Sequence, residues 1–151
     1  MSYLIQPATL AHVRALAPRL REGDRAEVEA VGAKPRHLMH KLWRTSHTRR
    51  TAFVDGEIAA MWGCAGTLLS PIGEIWLLTA PPVERVPVAF VKEARRGISE
   101  MLETHAILVS GVLASYGRAI RLMEILGFEI GAEYSMPCGA LFRELRMERS
   151  A

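Results

Sequence analysis

The chain has 151 residues, 50% of them apolar, and a formal charge of +3. That length buries one good core and hardly two, so a single domain over residues 1–151 is expected. No stretch approaches the roughly eighteen consecutive apolar residues of a membrane helix, and MSYLIQPAT shows neither a basic leader nor a long apolar run, so no export signal and a cytoplasmic location are expected.

Tyr3 to Gln6 reads as a short edge-like strand. Thr9 follows as a helix cap, with Leu10, Val13, Leu16 and Ala17 at helical spacing. Pro18 and Gly23 break the pattern, and Asp24 starts a second short helix that runs through Val31 to Gly32. Pro35 suits the first turn of a third helix, whose Leu38, Leu42 and Trp43 face inward. Between Lys34 and Arg50 the run KPRHLMHKLWRTSHTRR gathers basic residues and three histidines, in a chain of sixteen arginines and three lysines with a pI near 9.2. Charge of this kind attracts phosphate. The run holds no aromatic stacking series and no nucleic-acid motif, so a solvated helix face is expected and nucleic-acid contact is not.

After Arg50 the period becomes that of strands. TAFVDGEIAAMWGCAG contains two of them, joined at Asp55-Gly56, a pair that takes the φ > 0 geometry of a tight hairpin. A loop through Ser70, Pro71 and Gly73 leads to EIWLLT, an apolar strand from Glu74 to Thr79. Prolines at 81, 82 and 87 precede a helix, VAFVKEARRGISEMLETH, with an apolar face formed by Phe90, Ala94, Ile98, Met101 and Leu102. AILVSGVL suits a strand covered on both faces. Tyr116 to Leu126 forms the last helix, stopped by Gly127, and Phe128 through Arg146 holds two terminal strands. Cys64 and Cys138 are the only cysteines; reduced, partly buried thiols are expected, with neither a disulfide framework nor a metal cluster.

The order β-ααα-ββ-β-α-β-α-ββ indicates an α/β (α+β) domain, a mixed central sheet flanked by helices. It lacks the G-x-G-x-x-G of a dinucleotide fold and the lysine motif of a P-loop. For a general base, a carboxylate or imidazole must reach its substrate directly or through water. Glu74 is the first choice on the resemblance given next, which implies that its strand, EIWLLT, lines a cleft. Glu57, beside the hairpin, reads as solvated, and His105, at a helix–strand junction, as a capping residue.

EIWLLT, the helix after it, AILVSGVL and AIRLMEILGF together resemble the central and C-terminal part of the GCN5-related N-acetyltransferase (GNAT) superfamily. The last fragment is similar to that family's motif B, N-x-x-A-x-x-L-Y-x-x-x-GF, at Tyr116, Ala119, Leu122, Met123, Gly127 and Phe128. The resemblance implies an acyl-CoA N-acyltransferase fold that holds acetyl-CoA where EIWLLT and AILVSGVL splay apart. It implies backbone contacts to the pantetheine arm from Leu77, Leu78 and Thr79, and transfer of the acetyl group to an amine. The family's glycine-rich pyrophosphate loop is replaced here by APPVERVPVAF, where three prolines remove backbone donors and Arg85 is left as the charge contact. Met123 stands where the family places its thiolate-protonating tyrosine and cannot donate a proton; Tyr116, at the family's asparagine position, reads either as a packing or helix-start residue or as a substitute acid.

The opening YLIQPATLAHVRALAPRLREGDRAEV, Trp62-Gly63 and WLLT also resemble acetyltransferase-like proteins of tailed bacteriophages and prophages, some of them internal virion proteins. That resemblance implies an alternative: a non-catalytic structural or binding protein, virion-associated, with a phage or host protein as partner. An exposed end of the sheet leaves room for a homo-oligomer.

Overall fold

The computed structural model describes residues 2–150. Seven strands form one sheet: β1 (Tyr3–Pro7), β2 (Ser46–Val54), β3 (Glu57–Ala65), β4 (Ile72–Thr79), β5 (Ile107–Leu113), β6 (Glu129–Ser135) and β7 (Leu141–Glu148). Their spatial order is β1-β2-β3-β4-β5-β7-β6, with every neighbouring pair antiparallel except β4 and β5. That parallel pair needs a crossover, supplied by α4 (Pro87–Thr104) after a 3-10 turn over Pro81–Arg85. The remaining helices are α1 (Leu10–Leu16), α2 (Glu22–Ala30), α3 (Pro35–Thr45) and α5 (Gly117–Leu126). Among the described residues no helix is long and apolar enough to cross a membrane.

The sheet separates two cores. On one face Leu16, Met39, Met61 and Leu78 pack with α1 and α3. On the other, Met101, Leu108, Leu126 and Leu145 pack with α4 and α5. Local chemistry sets the boundaries. The Thr9 hydroxyl accepts the His12 N–H at 3.2 Å while the His12 ring accepts the Thr9 N–H, so both orphan donors at the start of α1 are satisfied. Gly127 ends α5 at φ +100°, a left-handed geometry that favours glycine, and the N–H of Phe128 returns to the Met123 carbonyl at 3.0 Å. That reversal drops Phe128 into the second core at 4% exposure. The abrupt stop and the aromatic that follows it are architectural.

Two boundaries and the exposure of one cysteine differ from the sequence reading. Gly23 lies inside α2, where the Tyr116 ring rests on it and a Cβ would meet Cε1 at 2.3 Å. Strand β2 begins at Ser46, so His47 to Arg50 belong to the sheet, and Arg49 stacks on Trp43 at 4.0 Å. Cys138 is exposed, while Cys64 is fully buried; both are free thiols.

Candidate functional site

Strands β4 and β5 pair only over Ile72–Ile107, Gly73–Leu108 and Glu74–Val109, and then part. At the point of parting, the Ser110 hydroxyl donates to the Ile75 carbonyl at 2.9 Å, a side-chain rung in place of the missing backbone one. Beyond it opens a mainly apolar cavity of about 320 Å³, walled by Trp62, Leu77, Phe90, Ala94, Gly97 and Ala119 among others. Alternate residues of a strand point their peptide groups to the same neighbour. The Ile75 and Thr79 peptides face the β5 side, so Leu77, between them in the alternation, directs its N–H and C=O into the gap.

Helix α2 closes the far end of this wedge. The backbone N–H of Arg21 donates to the Thr79 carbonyl at 2.9 Å, and Arg21 Nε donates to Thr79 Oγ1 at 2.8 Å. Asp24 Oδ2 accepts the Thr79 N–H at 2.8 Å and also its hydroxyl, while Oδ1 accepts from the Tyr116 phenol at 3.1 Å. One helical turn on, Glu27 Oε2 accepts the Leu113 N–H at 3.0 Å. Carboxylates three apart share a helix face, so α2 caps one splayed strand with Asp24 and the other with Glu27.

The electrostatics follow from burial. Asp24, 7% exposed, has its carboxyl pushed above the usual range by desolvation, against the Thr79 hydrogen bonds and the Arg21 charge. Desolvation raises Glu27 from 4.5 to about 7, opposed by the Leu113 N–H and reinforced by Asp24. The Tyr116 phenol is pushed to about 12 by burial and by Asp24. Glu27 therefore changes charge near neutrality, while Tyr116 keeps its proton.

The residues expected from the sequence are distributed unevenly about this site. Leu77 faces the gap. Leu78 points its side chain into the first core at 5% exposure, and the Thr79 peptide is already engaged by Arg21 and Asp24. Arg85 is ion-paired with Glu57 at 2.6 Å and lies 4.0 Å from Asp55, on the β2–β3 hairpin. Glu57 is 58% exposed, in keeping with its solvated reading. Glu74 is exposed at the last paired rung and borders a shallow second cleft with Gly111, Tyr134 and Glu144. Tyr116 lines the wedge as the residue that caps α5. His105 is the C-cap residue of α4, its backbone N–H donating to the Met101 carbonyl at 2.9 Å, and its fully buried ring bonds the Ser70 carbonyl and His47.

Asp24 and Glu27 were missed as site residues. One signal was present: Asp24 stands four residues before the apolar Val28, which puts an acid on the buried stripe of α2.

No protein-family model and no curated protein matches the chain. Solved structures do. The ribosomal-protein-S18-alanine N-acetyltransferase from Escherichia coli superposes with a TM-score of 0.71 at 16% identity, covering 99% of this chain and 96% of that one. Aminoglycoside acetyltransferase AAC(6')-Ib, in complex with coenzyme A, gives 0.68 at 19% identity, with coverages of 98% and 95%. A GNAT-family acetyltransferase from Bacillus anthracis gives 0.72 at 10%, again covering 98% and 95%. The fold is that of the GNAT acyltransferases. At these identities the likeness concerns fold, and activity is a separate question.

Proposed function

We propose that the chain is an acyl-CoA-dependent N-acyltransferase that takes acetyl-CoA in the β4–β5 wedge and transfers the acetyl group to an amine. The observation that carries this reading is the parting of β4 and β5 beyond Glu74 and Val109, which leaves the Leu77 peptide facing an apolar cavity. In this reading Leu77 lines the pantetheine arm. The phosphates meet Arg85, released from Glu57, and the N–H groups of Val88 and Ala89, which precede the first intrahelical donor of α4, Phe90. The acceptor amine attacks the thioester carbonyl and gives its proton to Glu27. The carbon–sulfur bond then breaks, the CoA thiolate takes a proton from water to leave as the thiol, and Glu27 returns its proton to solvent. A carboxylate titrating near 7 suits that task better than one at its ordinary value. Glu74, beside the second cleft, orients the acceptor amine or accepts its proton through water. Tyr116 acts by holding Asp24 in place, since a phenol at about 12 is a poor acid toward a thiolate.

A second reading is favoured by different observations. The glycine-free turn after β4, the ion-paired Arg85 and the internally satisfied Thr79 suit a scaffold that binds without chemistry, as in the phage and prophage internal virion proteins the sequence resembles.

Calorimetry with acetyl-CoA and CoA separates the two. Micromolar binding to the native chain, lost in Gly97→Leu, which fills the cavity from α4, is the expected result. Absence of heat at millimolar ligand rejects the enzyme. If binding occurs, thiol release with a panel of amines should fall about 10²–10⁴-fold in Glu27→Gln and less in Glu74→Gln; the reverse order transfers the base to Glu74.

A further inference from the structure

A second cluster of chemically capable side chains lies at the opposite end of the wedge. His47 on β2, Cys64 on β3 and His105, between α4 and β5, bring one ligand atom each to within 4.8 Å of the others. Cys64 and His105 are fully buried and His47 is half-buried, so the cluster has a closed side and an accessible one.

The hydrogen bonds fix which nitrogens are available. His105 Nδ1 lies 2.8 Å from the Ser70 carbonyl. A carbonyl only accepts, so that nitrogen carries the proton and His105 Nε2 presents a lone pair. His47 Nε2 lies 2.8 Å from it and must donate, which makes His47 Nδ1 an acceptor for the Thr48 hydroxyl at 3.0 Å. The Thr48 hydroxyl serves equally well as an acceptor. When His47 moves its proton to Nδ1, two imidazole lone pairs and a thiol converge on one point. A ring anchored by a carbonyl behind its ligating nitrogen is the usual support of a metal-binding histidine. The backbone leaves room for this convergence: a Cβ on Gly73 would stand 2.6 Å from both Cys64 Sγ and the His105 ring.

We infer that His47 Nε2, Cys64 Sγ and His105 Nε2 form a three-ligand site for a divalent zinc-class cation, with water in the fourth position on the His47 side. Imidazole and thiolate match the borderline softness of that ion. Occupancy exchanges the shared proton for the cation and widens the nitrogen–nitrogen contact to about 3.3 Å, the edge of a tetrahedron with zinc–nitrogen bonds. The thiol releases its proton as the sulfur–metal bond forms. Since the donors come from β2, β3 and the turn before β5, the ion would tie together the base of the wedge.

The test uses the full chain with Cys138→Ser, which removes the exposed thiol. Competition with a chromophoric zinc chelator should show one equivalent of zinc bound at micromolar affinity or tighter. Cobalt(II) should give intense tetrahedral d–d bands together with a thiolate-to-cobalt charge-transfer band. Cys64→Ala should abolish that band, and both it and His47→Gln should weaken zinc on the order of 100-fold. Should either variant fail to fold, the thiolate-to-cobalt charge-transfer band of the folded parent chain, whose only other thiol has been removed, reports the same contact. Absence of stoichiometric uptake, uptake unchanged in the variants, or cobalt bound without that band would each overturn the site.

Discussion

The two ends of the β4–β5 pair satisfy their backbone in different ways. At the base, strand bonds strand over three rungs, and Ser110 adds a fourth from its side chain. At the mouth no rung remains; Thr79 and Leu113 are capped by carboxylates from α2. The base is set by backbone geometry, whereas the mouth depends on the charge and placement of two acids. A guest can therefore compete with α2 for the mouth without breaking a single strand–strand bond.

The largest test of this contrast is Gly23→Ala. The new Cβ stands 2.3 Å from Tyr116 ring atoms, and the ring cannot swing aside while its hydroxyl holds Asp24. A loss of about 1–3 kcal/mol is expected by urea denaturation, with loosened hydrogen-exchange protection at Thr79 but not at Gly73.

Next comes pH. A folded-state value of about 7 against 4.5 means that the contribution of Glu27 to stability is complete below pH 4.5 and disappears as pH rises through 7. Asp24, shifted in the same direction, acts likewise. Glu27→Gln keeps an acceptor for the Leu113 N–H and removes the titration. Denaturation at pH 8 should show it more stable than the parent by on the order of 2 kcal/mol, allowing for residual solvent contact at this half-buried group, and the advantage should vanish near pH 4.5.

At the base, Ser110→Ala leaves the Ile75 carbonyl without its partner. A cost of about 1 kcal/mol is expected, with the rungs below it still protected from exchange. The smallest effect is a gain. Gly97 sits within α4, and a Cβ there meets only Trp62 Nε1, at 3.5 Å. Gly97→Ala should raise stability by about 0.5–1 kcal/mol in a thermal melt.

Much of the fold could be read in advance because its punctuation is local. Asp55-Gly56 turns with φ of 49° and 79°, Gly127 ends α5, and the prolines precede α4. The start of β2 was hidden because Arg44 to Arg50 continues the basic character of α3, while pairing with β3 decides its conformation. Gly23 looked like a helix breaker because the aromatic ring above it is 93 residues away in sequence, at Tyr116. The two strands were legible as apolar runs about a helix, and their parting only through the resemblance to the acetyltransferases. Their caps were not, since Asp24 and Glu27 look like ordinary helix-surface acids until β4 and β5 end beside them. His47, Cys64 and His105 meet only through three separate elements, with no spacing that announces them.

The Ser110–Ile75 bridge also sets a length. From Ile75 to Thr79 a strand advances about 13 Å, bounded at one end by a hydroxyl and at the other by Asp24. On the acyltransferase proposal, a linear guest laid along that track meets a fixed stop, so the cleft sets how far such a guest slides in.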